Sequence, residues 1–283
     1  MARETRSEDV VQSRLERICI YGAAKTRKTQ LATSIPRDEK WGEDVLYVSA
    51  DEHSEKLPSV LHPERIIVID PKPEPSKDGK PVRWDPLTEY VGIASATDWQ
   101  KKYPKAKTMI VDTVSMLSEH LLAAYTETGA VQKGHKSLGV PNTLTHHSQP
   151  DKGDFGAAQR STDFILDYFF ELPLHLILLF HQHWAEPKEG SLEALVGGPA
   201  TVGEAQVRKL PARFDTVLHL VAGSKGDVTI NTEPTVLWPA GIRHRRIGKR
   251  LGPILMADDP REFWTKHYDP LVKLDPALVA KEA

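Results

Sequence analysis

The stretch ICIYGAAKTRKT at residues 18–29 decides the fold of this chain. Four apolar residues lead into Gly22, and the polar loop that follows ends at Lys28 and Thr29, directly before the helix-forming residues QLA. A buried strand that turns through a glycine-led loop into a helix is the first half of a βαβ unit. The stretch therefore predicts an α/β fold whose first core strand lies at residues 17–21.

The remainder of the chain continues this pattern. Short β-branched runs alternate with longer helical patterns, which predicts a mostly parallel central sheet with helices on both faces. Several of the runs are almost continuously apolar, as expected of strands that are covered on both sides. Strands are predicted at 17–21, 45–49, 65–70, 108–112, 174–180 and 216–221, and helices at 29–34, 87–102, 115–126 and 155–172.

Length and composition are those of an ordinary globular protein. The 283 residues are enough for one substantial core, and the single cysteine, Cys19, excludes a disulfide framework. We expect a flexible N-terminal segment at 1–15, a core domain at 16–257 and a C-terminal extension at 258–283. The charged N-terminus has no signal-peptide pattern, and no apolar run reaches a membrane-spanning length, so a soluble, cytoplasmic protein without a membrane partner is expected.

The opening loop matches most of a known anion-binding pattern. In the P-loop pattern G-x-x-x-x-G-K-[ST], the lysine reaches the outer phosphates of a nucleotide and the hydroxyl binds Mg²⁺. Gly22, Lys28 and Thr29 match this pattern. It predicts ATP as the ligand, held by the whole loop: Gly22, Ala23, Ala24, Lys25, Thr26, Arg27, Lys28, Thr29 and Gln30.

One position of the loop departs from the pattern, because Arg27 stands where the second glycine is expected. That glycine normally supplies backbone freedom, and a side chain there costs strain. The departure leaves open whether bound ATP is hydrolysed. A strand–turn–helix junction with chance basic residues is the alternative interpretation of the loop alone.

A second acidic element is expected close to the loop. The run MIVD at 109–112 is a buried strand that ends in Asp112, and in P-loop enzymes such an acid holds Mg²⁺ at the carboxyl edge of the sheet. Thr29 and Asp112 are therefore the predicted metal ligands. Asp70 ends another apolar run, but it leads into a Pro/Lys-rich stretch and is better interpreted as a turn residue.

An ATPase also needs a carboxylate that orients or deprotonates the attacking water. The run LYVSADEH at 46–53 is a strand that ends in acids, and it resembles the corresponding strand of the RecA superfamily. In that superfamily a glutamate after the second strand does this work. The resemblance implies Glu52 as the catalytic base, with Asp51 as the fallback, on a RecA-like P-loop core.

The resemblance to the RecA superfamily extends over about residues 17–252. The run LILLFHQ at 176–182 resembles the strand whose terminal glutamine senses the γ-phosphate, which implies that role for Gln182. The glycine-containing stretch 185–203 follows where RecA-like proteins place a DNA-binding loop. The chain is most similar to small phage RecA-like ATPases of single-strand annealing and recombination, whose loop also carries a lysine at the position of Lys25. Single-stranded DNA as partner and a phage origin, with the host cytoplasm as location, are what this resemblance implies.

The densest basic run, RHRRIGKRLG at 243–252, is a candidate trans-acting element. It resembles a motif that acts across subunit interfaces in RadA-type ATPases, which implies Lys249 and Arg250 as catalytic residues in a neighbour's site. A homo-oligomer, as a ring or filament, and a single-strand-binding protein are further implied partners. Two alternatives stay open: a non-hydrolysing nucleotide-binding protein of DNA annealing or assembly, and a small-molecule kinase.

Overall fold

The computed structural model describes residues 15–51, 63–72, 84–96, 98–132, 150, 152–185, 196–203, 205–242 and 252–272. Its strands are β1 (Arg17–Gly22), β2 (Asp44–Ser49), β3 (Ile66–Ile69), β4 (Ala106–Asp112), β5 (His175–Ala185), β6 (Val196–Pro199), β7 (Thr216–Ala222), β8 (Val228–Asn231), β9 (Gly241–Ile242) and β10 (Ile254–Leu255). Its α-helices are α1 (Lys28–Thr33), α2 (Pro86–Ser95), α3 (Trp99–Lys102), α4 (Val114–Gln132), α5 (Lys152–Glu171), α6 (Ala205–Lys209) and α7 (Asp269–Val272).

The strands form one sheet in the order β10-β8-β7-β1-β5-β4-β2-β3, with β6 paired to β5 and β9 paired to β7. Strand β1 lies at the centre, parallel to both β5 and β7. Strands β4, β2 and β3 continue the parallel part, whereas β8, β10, β9 and β6 pair antiparallel. The predicted fold class, a mostly parallel α/β sheet, is confirmed.

Two apolar cores lie on opposite faces of this sheet, because successive side chains of a strand point to opposite sides. Cys19 and Tyr21 of β1 belong to the core that α2, α4 and α5 cover. Ile18 and Ile20 belong to the other core, which α1 and a π-helix at Phe263–Tyr268 cover. The sheet is thus covered on both faces, which explains the nearly continuous apolar runs in its central strands.

The C-terminal part of the described chain packs into the second core. Trp264 and Tyr268 are fully buried, and the indole Nε1 of Trp264 donates to the carbonyl oxygen of Leu31 at 2.9 Å. This contact ties the π-helix directly to α1, the helix that follows the opening loop. The proposed domain boundaries at 16 and 258 stay predictions.

Some element bounds differ from those that the pattern predicts. Strand β5 continues five residues beyond Phe180, and β6 lies inside the stretch 185–203 that was expected to be loop. The reason is close packing: a Cβ atom on Gly197 would lie 2.1 Å from the ring of Trp238, so glycine lets β6 approach that ring. The helical pattern at 87–102 is divided into α2 and α3.

In the part of the chain that is described, no helix combines the length and apolar character needed to cross a membrane.

Candidate functional site

The loop at residues 23–27 joins β1 to α1 at the carboxyl edge of the parallel strands. A Cβ atom on Gly22 would lie 2.5 Å from the carbonyl oxygen of Leu220 and 2.8 Å from Oγ1 of Thr26, so only glycine fits there. Lys25 and Arg27 both adopt left-handed backbone conformations, with φ of 63° and 59°. Alternation between right- and left-handed residues turns backbone N–H groups toward one side and makes a concavity suited to an anion.

Arg27 adopts the backbone conformation that glycine favours at this position of the pattern. Its ψ is 26°, and the residue lies immediately before the first turn of α1. The guanidinium group is held, because Nε donates to Oε1 of Gln30 at 2.6 Å and Nη2 donates to the carbonyl oxygen of Asp258 at 3.3 Å. The left-handed conformation costs a non-glycine residue about 1 kcal/mol, and these two hydrogen bonds offset part of that cost.

The loop presents positive charge and unpaired donors. Within the described part of the chain, the amide N–H groups of residues 27 to 29 donate to no acceptor. The ammonium group of Lys28 donates to the carbonyl oxygens of Gly22 and Ala23 at 3.0 and 2.7 Å. Both acceptors are uncharged, so the charge of the lysine is available to an anion in the loop.

Lys28 is buried, and burial lowers the pKa of its ammonium group to about 8, although the charges of Asp112 and Asp51 act in the opposite direction. Among the described residues no carboxylate is bonded directly to Lys28. A buried cation of this kind gains most from an anionic ligand, because the ligand replaces the solvation that the cation has lost.

The carboxylate of Asp112 lies at the end of β4, beside the first turn of α1. The hydroxyl of Thr29 donates to Oδ2 of Asp112 at 2.5 Å, and the hydroxyl of Tyr47 donates to the same oxygen at 2.7 Å. Burial raises the pKa of Asp112 above its ordinary value, although the two hydroxyl donors and the charge of Lys28 act in the opposite direction. The peptide bond between Asp112 and Thr113 is cis.

These side chains fit a magnesium ion. Mg²⁺ prefers hard oxygen ligands and is usually held by one or two protein oxygens together with water and phosphate oxygens. Thr29 and Asp112 supply a hydroxyl and a carboxylate within hydrogen-bonding distance of each other, beside the loop that suits a phosphate group. A hydroxyl that donates its proton to a carboxylate keeps its own lone pairs for a cation.

The acidic end of β2 lies against the end of β4. The amide N–H groups of Ala50 and Asp51 donate to the carbonyl oxygen of Asp112 at 2.8 and 3.2 Å. Asp51 is thereby placed next to the predicted metal ligand. Glu52, Lys249 and Arg250 lie outside the described residues, so their catalytic roles stay predictions.

Gln182 lies at the carboxyl edge of β5, one residue beyond the pair formed by His181 and Gly22. Its Oε1 lies 3.3 Å from Nε2 of His219 on β7, on the far side of β1. Burial lowers the pKa of His219 to about 4, so the ring is neutral at pH 7. The neutral ring donates to Gln182 when Nε2 carries its proton.

His219 is part of an aromatic stack that begins at Tyr21 of β1, the strand that precedes the loop at residues 23–27. Its ring contacts those of Tyr21 and Trp238, with centroid distances of 4.6 and 4.5 Å and interplanar angles of 10° and 23°, and the Tyr21 and Trp238 rings also face each other at 6.2 Å. Trp238 also contacts Trp184, with centroids 4.3 Å apart. Trp184 is 37% exposed, so the stack reaches from β1 to the surface.

The predicted residues of the phosphate loop, Asp112 and Gln182 therefore all lie at one edge of the sheet. The sequence reasoning missed Tyr47, His219 and Trp238. Tyr47 lies inside an apolar strand, where a tyrosine is indistinguishable from a core residue. His219 and Trp238 become neighbours of the site only through strand pairing and through the packing of the segment that follows β8.

No protein-family model matches this chain, and no curated protein matches it. Among solved structures it is similar to a KaiC-like protein, PH0186, from the hyperthermophilic archaeon Pyrococcus horikoshii OT3, with 12% sequence identity and a TM-score of 0.38. The match covers 85% of this chain and 89% of that chain. So distant a likeness carries no information about activity.

Proposed function

We propose that this chain is a RecA-like P-loop ATPase that binds ATP with Mg²⁺ and acts on single-stranded DNA. One observation carries the nucleotide part: the hydrogen bond from Thr29 to Asp112, which joins the glycine-led loop to the strand end where the acidic ligand of a cation is expected. If the loop were only a strand–turn–helix junction with chance basic residues, a buried carboxylate beside the hydroxyl of Thr29 would not be needed.

Several residues of the loop have a defined task in this proposal. The backbone N–H groups around Arg27 and the ammonium group of Lys28 bind the phosphates, and Gly22 allows the loop to close against β7. Thr29 and Asp112 hold Mg²⁺. When bound, Mg²⁺ neutralises charge that develops on the phosphate oxygens during phosphoryl transfer.

The acids that follow β2 supply the proton acceptor. Asp51, whose amide is bonded to the carbonyl oxygen of Asp112, and Glu52, which follows it, are the two candidates for orienting the attacking water. The resemblance to the RecA superfamily favours Glu52. The same resemblance assigns Lys249 and Arg250 to the site of a neighbouring subunit in a ring or filament.

The DNA part rests on the RecA resemblance and on one surface feature. The indole ring of Trp184 is 37% exposed at the end of β5, and exposed aromatic rings stack on the bases of single strands. Gln182 precedes Trp184 by two residues on the same strand. A shift of Gln182 on loss of the γ-phosphate would therefore be passed to the base-stacking ring of Trp184 through only two residues.

Steady-state ATP hydrolysis with and without single-stranded DNA tests the proposal, with Lys28→Ala as the inactive variant. Lys107→Ala is the matched control, because Lys107 is an exposed lysine near the start of β4, whereas Asp112 ends that strand. We expect turnover that DNA stimulates, that Lys28→Ala abolishes and that Lys107→Ala leaves unchanged.

Two other results would redirect the proposal. Nucleotide binding and DNA annealing without turnover would favour the non-hydrolysing annealing or assembly protein. Phosphate transfer to a small acceptor would favour a kinase instead.

A further inference from the structure

Tyr47 is a buried side chain that contacts the magnesium half of the proposed site. It lies on β2, is 3% exposed, and its hydroxyl donates to Oδ2 of Asp112 at 2.7 Å. The hydroxyl of Thr29 donates to that same oxygen at 2.5 Å. One carboxylate oxygen therefore receives two hydroxyl protons, one from the helix after the phosphate loop and one from the neighbouring strand.

Strand register explains how the tyrosine reaches this position. Tyr47 of β2 pairs with Ile110 of β4, and both side chains belong to the core under α1. Asp112 lies two residues beyond Ile110, so its side chain points to the same face of the sheet. The hydroxyl of Tyr47 consequently reaches the carboxylate from within the core under α1.

We propose that Tyr47 is a positioning residue for the cation, one that holds the Asp112 carboxylate in a single orientation. A carboxylate oxygen offers about two lone-pair sites, and the two hydroxyls fill those of Oδ2. The other oxygen, Oδ1, would then be the one left for the cation. The inference rests on the proposed function and names a residue that the phosphate-loop pattern does not contain.

Loss of the tyrosine hydroxyl leaves Thr29 as the single hydroxyl donor to Oδ2. The carboxylate is then free to rotate between orientations. Cation binding becomes weaker, because the cation must also fix the orientation of the carboxylate. Removing a hydrogen-bond partner behind a metal ligand commonly weakens metal binding by about 10- to 100-fold. The proposed phosphate contacts of Lys28 and of the loop amides do not involve Tyr47. Loss of its hydroxyl should therefore leave the binding of nucleotide without metal unchanged.

The test is a titration of a fluorescent ATP analogue against wild type and Tyr47→Phe, in EDTA and at increasing Mg²⁺. We expect Tyr47→Phe to need about ten-fold more Mg²⁺ for half-maximal tightening, with the loss of affinity confined to the samples that contain Mg²⁺. Tyr90→Phe is the matched control: Tyr90 is equally buried, but its hydroxyl lies 3.1 Å from Nδ1 of His120, in the core on the other face. It should behave as wild type.

A double-mutant cycle separates positioning from general loosening of the fold. In an Asp112→Asn background, Tyr47→Phe should cause no further loss of Mg²⁺ response, because the carboxylate that it positions is gone. An unchanged Mg²⁺ requirement in Tyr47→Phe, or an equal loss in EDTA, would overturn the inference while the proposed function stands. A wild-type protein that binds no nucleotide under any condition would overturn both.

Discussion

Two buried polar clusters lie on opposite faces of the sheet beside the phosphate loop, and they are built in different ways. In the carboxylate cluster, Thr29 and Tyr47 both donate to one oxygen of Asp112. In the imidazole cluster, His219 has one polar partner, Gln182, and its Nδ1 is buried with no hydrogen-bond partner in the described part of the chain. The first cluster is saturated with donors, whereas the second is held mainly by stacked rings.

The difference follows from charge. A carboxylate in a buried site needs donors, because an unpaired buried charge is far more costly than an unpaired neutral group. An imidazole avoids that cost by releasing its proton, and its flat ring then packs against Tyr21 and Trp238 as another aromatic ring would. The carboxylate cluster should therefore respond to loss of a donor or of charge, and the imidazole cluster to pH.

Removal of the charge at the carboxylate cluster should have the largest effect. Asp112→Asn keeps the shape of the side chain but removes the anionic ligand of the proposed Mg²⁺ site, and a bound metal ion is worth several kcal/mol in phosphoryl transfer. We expect Mg²⁺-dependent ATP turnover to fall by about 1,000-fold. Asp70→Asn is the control, since Asp70 follows β3 on the surface, and its turnover should equal that of wild type. Equal losses in the two variants would show that Asp112 has no special role.

Acidification should destabilise the protein through the imidazole cluster. The pKa of His219 is lowered to about 4 in the fold, against about 6.5 in an unfolded chain. The neutral ring is thus the form that the fold favours, so its contribution is fully present above about pH 6.5 and is lost as pH falls toward 4. From pH 7 to pH 5 this one residue should cost about 2 kcal/mol of unfolding free energy.

Denaturant unfolding at both pH values measures this loss. His219→Phe keeps a stacking ring but cannot be protonated, so its stability should fall by about 2 kcal/mol less than that of wild type. His183→Phe, at an exposed position of strand β5, should retain the pH dependence of wild type. A His219→Phe variant with an unchanged pH response would mean that the ring is accessible to water.

The phosphate loop offers a smaller and purely conformational test. Arg27→Gly and Arg27→Ala both remove the guanidinium contacts, but only alanine keeps a Cβ atom at a φ of 59°. The alanine variant should be less stable than the glycine variant by about 1 kcal/mol, as measured by thermal or denaturant unfolding. Equal stability would indicate that the loop changes conformation once the arginine is removed.

The smallest effect is expected at the outer end of the aromatic stack. Trp184→Ala should weaken single-stranded DNA binding by about five-fold, because one base loses a stacking partner. Trp184→Phe keeps a ring and should restore most of the affinity, as measured by fluorescence anisotropy of a labelled oligonucleotide. If phenylalanine and alanine behave alike, the contact is not one of stacking.

The sequence predicted the elements that local pattern specifies. The apolar runs located all the strands of the parallel part of the sheet, and the glycine-led loop with Lys28 and Thr29 located the start of α1. Asp112 was recognisable because a strand that ends in a carboxylate beside a P-loop pattern places that acid at a known edge of the sheet.

The short antiparallel strands and the aromatic stack were not predictable in the same way. Strands β9 and β10 contain two residues each, too few for any periodic pattern to appear. Strand β6 runs through two consecutive glycines, which by pattern favour a loop; here they permit close approach to Trp238 and to Val207.

By itself the sequence determined the strand–loop–helix that opens the fold, the alternation that makes the sheet parallel, and the identity of the loop cation and strand-end acid. These features depend on residues close together in the chain. Only the tertiary structure decided that Tyr47 shares an oxygen with Thr29, and that Gln182 reaches His219 across β1. Such contacts depend on strand order and register, which arise from packing of the whole sheet between its two apolar cores and leave no local trace in the order of residues.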